Sequence, residues 1–318
     1  MSTLKKKKPF SEVLSALAEP DHPLTAAVIY GLSDLDREQI AQLERAWPGY
    51  PVERRRALVE HLNEVSEANF DMDFRAINHL ALTDLDGAVR RLAVEGLWED
   101  ESLSLMYKLV HIVQQDADPQ VRAAAIAELG RFILLGEYEK ISAADARLAQ
   151  DTVLHVFRTE TDNDLRRRAL EAIANSCLDS VPGMIREMYA SQEVKMRASA
   201  LFAMGRTCDD MWAAEILHEL SSSEPELRYE AARAAGQMEL QEAVPHLKRL
   251  IAESDDPEIL EVAIWALGEI GGDQARRILT QVAARAEQQG DEEISAAARD
   301  ALDAANMAGE FLLFDFEP

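Results

Sequence analysis

Cysteine, aromatic residues and positive charge are all in short supply in this chain. The two cysteines, Cys177 and Cys208, belong to no CxxC pair, which excludes a zinc knuckle and a thioredoxin-like redox motif. Cys177 falls near the end of a predicted helix and reads as a small buried thiol. Aromatic residues make up 6% of the sequence while hydrophobic residues make up 47%. With alanine abundant, that mix suits closely packed helices better than a sheet-rich core. No apolar run approaches the roughly 18 residues of a membrane span. The N-terminal "MSTLKKKKPF" has positive charge but no apolar stretch behind it, so it does not read as a secretory signal, and a cytoplasmic protein is expected. Lys and Arg total 33 against 58 Asp and Glu, a net charge of −25. Such a surface repels phosphate backbones, which argues against nucleic acid as a partner. It favours neutral or basic partners.

Catalytic signatures are missing as well. The sequence contains no Walker loop, GxSxG elbow, HExxH or kinase motif. His22, His61, His79, His111, His155 and His246 show no metal-ligand spacing. No cofactor, no metal and no catalytic residue is expected.

What the chain does contain is a repeat. "DPQVRAAAIAELG" at 118–130 returns as "DPEILEVAIWALG" at 256–268, with Leu260 in place of arginine. Aligned on that position, the copies read Arg55, Arg90, Arg122, Arg166, Arg197, Arg228, Leu260 and Ser295, in steps of 31 to 44 residues. The longest step holds "LLGEYEKISAADA", which reads as a longer loop over roughly 135–145. A period in this range marks a helical solenoid. Four places before the anchor stands an acid in most copies: Asp86, Asp118, Asp162, Glu193, Glu224, Asp256 and Asp291. Aspartate accepts hydrogen bonds from the orphan N–H groups of a first turn, and its charge suits the positive end of the helix dipole. Pro119, Pro225 and Pro257 follow at the first helical position, where no N–H is needed. Apolar residues then fall one before the anchor and three, four and seven after it, as in Val121, Ala125, Ile126 and Leu129; this is one face of a helix. Gly130, Gly205, Gly236 and Gly268 recur at or near the end of the pattern and read as helix terminators. A second, less regular helix lies between copies. Each unit is thus a helix pair that buries its apolar face only by stacking.

Acid, Val-Arg, spaced alanines and Leu-Gly resemble HEAT repeats, in particular the short kind named after phycobilin lyase subunits, over about residues 35–306. The resemblance implies an all-α fold, an α-solenoid of about eight stacked helix pairs. It implies that acid and arginine form a structural ladder between units, carried here by Asp86 and Arg90, Asp118 and Arg122, Asp162 and Arg166, Glu193 and Arg197, and Glu224 and Arg228. It also implies that the second helix of each pair lines a concave face. Iron hydroxylases of HEAT-like repeats carry several His-Glu pairs; the single His218-Glu219 pair argues against that chemistry.

The domain reading is an N-terminal arm with capping helices over 1–33, a solenoid over 34–306 and an acidic-aromatic tail over 307–318. Ser33 is the expected N-cap of the first repeat helix. Residues pointing away from the core on the second helices lie about one, five and nine places after the anchor. They supply the candidate partner-binding set: Arg131, Arg167, Phe202, Arg206, Tyr229, Arg233 and Trp265. The expected function is a non-catalytic scaffold or adaptor holding a protein or peptide on the concave face. The tail 310–318, with Phe311, Phe314 and Phe316 among acids, is one candidate occupant. The alternative is a subunit of a lyase-like or other modifying enzyme.

Overall fold

The computed structural model describes residues 9–19 and 22–314, with side chains described as far as Met307. Among the described residues there are eighteen α-helices and no strand. Helices α1 (Phe10–Ala18) and α2 (Ala26–Tyr30) come first. Eight pairs follow: α3 (Arg37–Ala46) with α4 (Val52–Ala68), α5 (Arg75–Ala81) with α6 (Gly87–Glu95), α7 (Leu103–Gln115) with α8 (Pro119–Glu137), and α9 (Ala143–Thr159) with α10 (Asn163–Ile173). Then come α11 (Val181–Tyr189) with α12 (Val194–Thr207), α13 (Ala213–Glu219) with α14 (Pro225–Gln237), α15 (Val244–Glu253) with α16 (Pro257–Ile270), and α17 (Gly272–Gln289) with α18 (Glu292–Phe314). The eight anchor positions, Arg55 to Ser295, fall one to each second helix. The fold is an α-solenoid of eight helix pairs. The chain divides into two compact units, Met1–Val153 and Leu154–Pro318.

The helices start where the caps place them. The carboxylate of Asp86 accepts from the Val89 N–H, that of Asp118 from Gln120, that of Asp162 from Asp164 and Leu165, and that of Asp256 from Glu258. Glu193 and Glu224 make no such bond. Their extra methylene carries the carboxylate past its own first turn. Instead the hydroxyls of Ser191 and Ser222 accept from the Glu193 and Glu224 N–H groups. Ser33 does not cap the first repeat helix. Asp36 does, in a reciprocal capping box with Gln39, while Ser33 is buried, donates to Asp34 and accepts from the Asp73 N–H. The expected loop over 135–145 shrinks to 138–142, because α8 and α9 are long and absorb the extra residues. Cys177 is exposed rather than buried.

The repeated apolar face is the core. Val121, Ala125, Ile126 and Leu129 are fully buried, and so are Ala263, Ile264 and Leu267. In the first unit α4 packs on α6 and α6 on α8; in the second α10, α12, α14, α16 and α18 pack in series. The glycines expected as terminators serve this packing. Gly205, Gly236 and Gly268 lie inside α12, α14 and α16, and none has a positive φ. Gly130 likewise lies inside α8. A Cβ on Gly205 would stand 2.8 Å from the Cα of Ala234, one on Gly236 2.9 Å from that of Ala266, and one on Gly268 3.0 Å from that of Ala301. The neighbour at each site is backbone, which cannot swing aside. These glycines set how closely successive second helices approach.

Arginines tie one pair to the next. Arg90 donates from Nε and Nη2 to the two oxygens of Asp116, each at 2.7 Å, while its Nη1 donates to the Asp84 carbonyl at 2.8 Å. Asp84, itself buried, accepts from Arg55 at 3.1 Å and from the Trp47 indole at 2.6 Å. Each of these carboxylates stands two residues before the capping acid, and each also accepts from the backbone N–H of that acid, Asp86 or Asp118. The capping acids therefore hold their own helices, and the residues ahead of them carry the links. Asp86 adds a link of its own, taking Arg56 in a bidentate pair at 2.8 and 2.5 Å. Arg122, the expected partner of Asp118, donates to the Val113 carbonyl at 2.8 Å. In the second unit Arg166 reaches Glu187 at 2.5 Å, and Arg197 reaches the buried Glu219. Glu219 also accepts from the Tyr189 hydroxyl at 2.7 Å; burial and this bond push that hydroxyl up to about 12. The Glu219 carboxylate of the His218-Glu219 pair is thereby committed to the ladder.

Burial pushes the Asp116 carboxyl up, but the hydrogen bonds from Arg90 and the Asp118 N–H, with the charges of Arg90 and Arg122, outweigh it and hold the group below its ordinary 3.8. A carboxyl depressed in the folded state stabilises the fold above its ordinary value and loses that contribution as pH falls through the folded value. Asp116→Asn is expected to lower stability at pH 7 by about 2 kcal/mol, since it leaves the Arg90 guanidinium with its charge uncompensated. The deficit should shrink below pH 3.8, which urea midpoints at pH 7 and pH 3 would show. For the helix spacing, Gly268→Ala should cost about 1–3 kcal/mol despite alanine's better helix propensity, read as a lower thermal midpoint.

Candidate functional site

Three of the expected partner-binding residues converge on one open cavity. Tyr229 and Arg233 from α14 and Trp265 from α16 line a space of about 380 Å³, together with Gln237, Glu258 and Glu261. The spacing explains the convergence. Tyr229 and Arg233 are one turn apart on one helix, and Trp265 sits on the next second helix, which packs directly against it. Gly236 brings the indole close: a Cβ there would lie 2.7 Å from the Trp265 ring. Trp265 is 39% exposed, a large apolar surface left facing water. Phe202 on α12 joins from the other side. The Arg233 guanidinium lies over its ring, 4.2 Å from the centroid. Arg233 also meets Glu230 at 2.6 Å. The Nη2 of Arg233 makes that ion pair, while its Nε is buried without a hydrogen-bond partner. Burial pushes the Glu230 carboxyl up, opposed by the charge of Arg233. The site is thus an aromatic cleft around a half-buried cation, with Glu258 and Glu261 exposed at its rim.

The remaining candidates are committed elsewhere. Arg131 donates to the carbonyls of Leu97 and Asp100, each at 3.1 Å, pairs with Glu128 and lies over Phe132. Arg206, at the same repeat position nine after the anchor, donates twice to the Asn175 side chain, at 3.0 and 2.6 Å. Both hold the turn that follows the preceding second helix, with their positive charge near that helix's C-terminus. Arg167 bonds the Lys195 carbonyl, the Ser199 hydroxyl and Asp164. Phe311, Phe314 and Phe316 of the tail lie outside the described side chains, although the helical backbone of α18 runs as far as Phe314.

Sequence reasoning did not find a second cavity, in the first unit, of about 490 Å³. Phe70 and Trp98 form its apolar part, edge to face at 6.4 Å, among Asp71, Asp73 and Glu99. Phe70 is 75% exposed. It stands in the irregular segment between α4 and α5, where the repeat gives no register. Among the described residues no cluster of three or more His, Cys, Asp or Glu is placed to hold a metal ion, and no helix is long and apolar enough to cross a membrane.

A solenoid of helix pairs with arginine links between them defines the class. Within it, the HEAT-repeat family model matches residues 181–259 and 213–303, so this stretch of the chain carries HEAT repeats. No curated protein matches the sequence. Similar solved structures include the complex of CpcE and CpcF of phycocyanin lyase from Nostoc sp. PCC7120, at 15% identity and TM-score 0.47, covering 73% of this chain and 94% of that one. YibA of E. coli is similar at 14% identity and TM-score 0.43, covering 95% and 99%. Human deoxyhypusine hydroxylase in complex with glycerol is similar at 16% identity and TM-score 0.36, covering 94% and 96%.

Because Arg131 satisfies two carbonyls of the turn between α6 and α7, Arg131→Ala is expected to lower stability by about 1–2 kcal/mol. The mutant should bind any ligand of the Trp265 cleft as the parent does. A urea titration beside a binding isotherm separates the two effects.

Proposed function

We propose that this HEAT-repeat protein is a non-catalytic, cytoplasmic scaffold or adaptor that holds a segment of a protein or peptide partner on the face formed by its second helices. The observation that supports this reading is the Tyr229–Arg233–Trp265 cleft, an aromatic surface left open in a chain whose other apolar side chains are mostly packed. Buried aromatic anchors provide most of the energy at protein interfaces, with arginine beside them. Glu258 and Glu261 at the rim, and a net charge of −25, favour a segment whose apolar anchor is flanked by Lys or Arg. The chain's own tail 310–318 is the competing occupant. Its phenylalanines suit Trp265 and its acids suit Arg233, but the two rim carboxylates repel it.

Fluorescence polarisation with two labelled nonapeptides tests the reading: the 310–318 sequence itself, and the same sequence with its acids replaced by lysine. The basic peptide is expected to bind the full chain and to lose about tenfold in affinity in Trp265→Ala. Preference for the acidic peptide, lost in Arg233→Glu, would assign the cleft to the tail. Binding of neither at high micromolar concentration would overturn the partner-binding role of the cleft. A chromophore or stoichiometric metal carried by the purified chain would instead favour the modifying-enzyme alternative.

A further inference from the structure

Arg228 stands on a rung of the arginine ladder without a carboxylate. Arg55 meets Asp84, Arg90 meets Asp116, Arg166 meets Glu187 and Arg197 meets Glu219. Arg228 donates from Nη1 to the carbonyls of Ser222, at 2.8 Å, and Ser223, at 3.1 Å, and pairs with no acid among the described residues. The cause is legible in the register. Glu219 stands 22 residues after Arg197, whereas the residue equally far past Arg228 is Leu250. Where the carboxylate is missing, a cavity of about 310 Å³ opens, lined by Arg228, His246, Arg249, Ser222 and Ser254, with Leu250 on its wall. The Nδ1 of His246 is buried there without a hydrogen-bond partner. Arg249 is exposed and makes no ion pair among the described residues. Glu253 is the one acid of the lining. None of these residues lines the Trp265 cleft, so the two sites are separate.

A guanidinium presents paired N–H donors whose geometry matches a carboxylate. We propose that this cavity is a carboxylate-binding site, in which an acid from outside the fold occupies the rung that Glu219 occupies one pair earlier. The carboxylate accepts from Arg228, the His246 ring stands on the cavity wall, and Arg249 supplies the second positive charge. A small dicarboxylic acid and a glutamate side chain of a peptide share this chemistry.

The test follows the His246 ring resonances of the full chain at constant pH and ionic strength during titration with succinate, with the peptide Gly-Gly-Glu-Gly-Gly, and with inorganic phosphate. A saturable shift with succinate or with the pentapeptide is expected, and which of the two binds more tightly names the source of the acid. Arg228→Gln should weaken that binding about tenfold or more. Leu250→Glu, which supplies the missing carboxylate internally, should abolish it. Should Leu250→Glu fail to fold, Arg228→Gln carries the test alone. Saturation by phosphate only, no saturable shift with any probe, or undiminished binding in Arg228→Gln would overturn the proposal.

Discussion

Within each compact unit of this protein, helix pairs are joined by arginines, Arg55, Arg90, Arg166 and Arg197, that leave their own helix and end in the next pair. The apolar face that drives stacking is rich in alanine, and hydrophobic attraction has no direction, so by itself it would permit neighbouring pairs to slide. The two-pronged bond from Arg90 to Asp116 does not slide. Asp116 in turn holds the N–H of Asp118, which caps α8, so one carboxylate aligns a stack contact and a helix start together. Asp84 does the same one pair earlier, with Trp47 added. The glycine contacts at Gly205, Gly236 and Gly268 set the distance between helices, while the arginines set register.

That architecture decides which polar residues are left over for anything else. Arginines nine places past the anchor, Arg131 and Arg206, are consumed in holding the turn after the preceding second helix. Arg167 is consumed in bridging α10 to α12. Arg233 is different, because its planar face rests on Phe202 and its Nε has no hydrogen-bond partner. It sits beside the one tryptophan that the second helices of the second unit leave half in water. Arg228 is different for another reason: a leucine stands where the ladder needs an acid. Both exceptions fall in neighbouring turns of α14, on different sides of the helix. The functional reading therefore rests on departures from the repeat rather than on the repeat.

The acidity of the chain has a similar division. Some carboxylates are structural and desolvated, such as Asp84, Asp116 and Glu219, and their charge is matched by arginine. Others, such as Glu258 and Glu261, stand free at the rim of the cleft. Only the second kind acts on a partner at a distance, and it selects for positive charge.

The sequence by itself determined the number of helix pairs, the anchor of each second helix and the residues of its buried face, because caps and the 3.6-residue period are local. Asp86, Asp118, Asp162 and Asp256 cap helices for a reason that operates within three residues. The partners of the arginines were not legible in the same way. Arg90 and Asp116 are joined across 26 residues, and nothing local distinguishes Asp116 from Asp118 as the acceptor. Gly205 and Gly236 read as terminators because a glycine near a helix end has two uses, and only the position of the neighbouring backbone decides between them. The candidate arginines divided on the same ground. Exposure on a helical wheel is a property of one helix, whereas Arg131 and Arg206 are claimed by the end of another. Tyr229, Arg233 and Trp265 shared a face in sequence, but the cavity between them exists only because two helices pack closely enough to hold it.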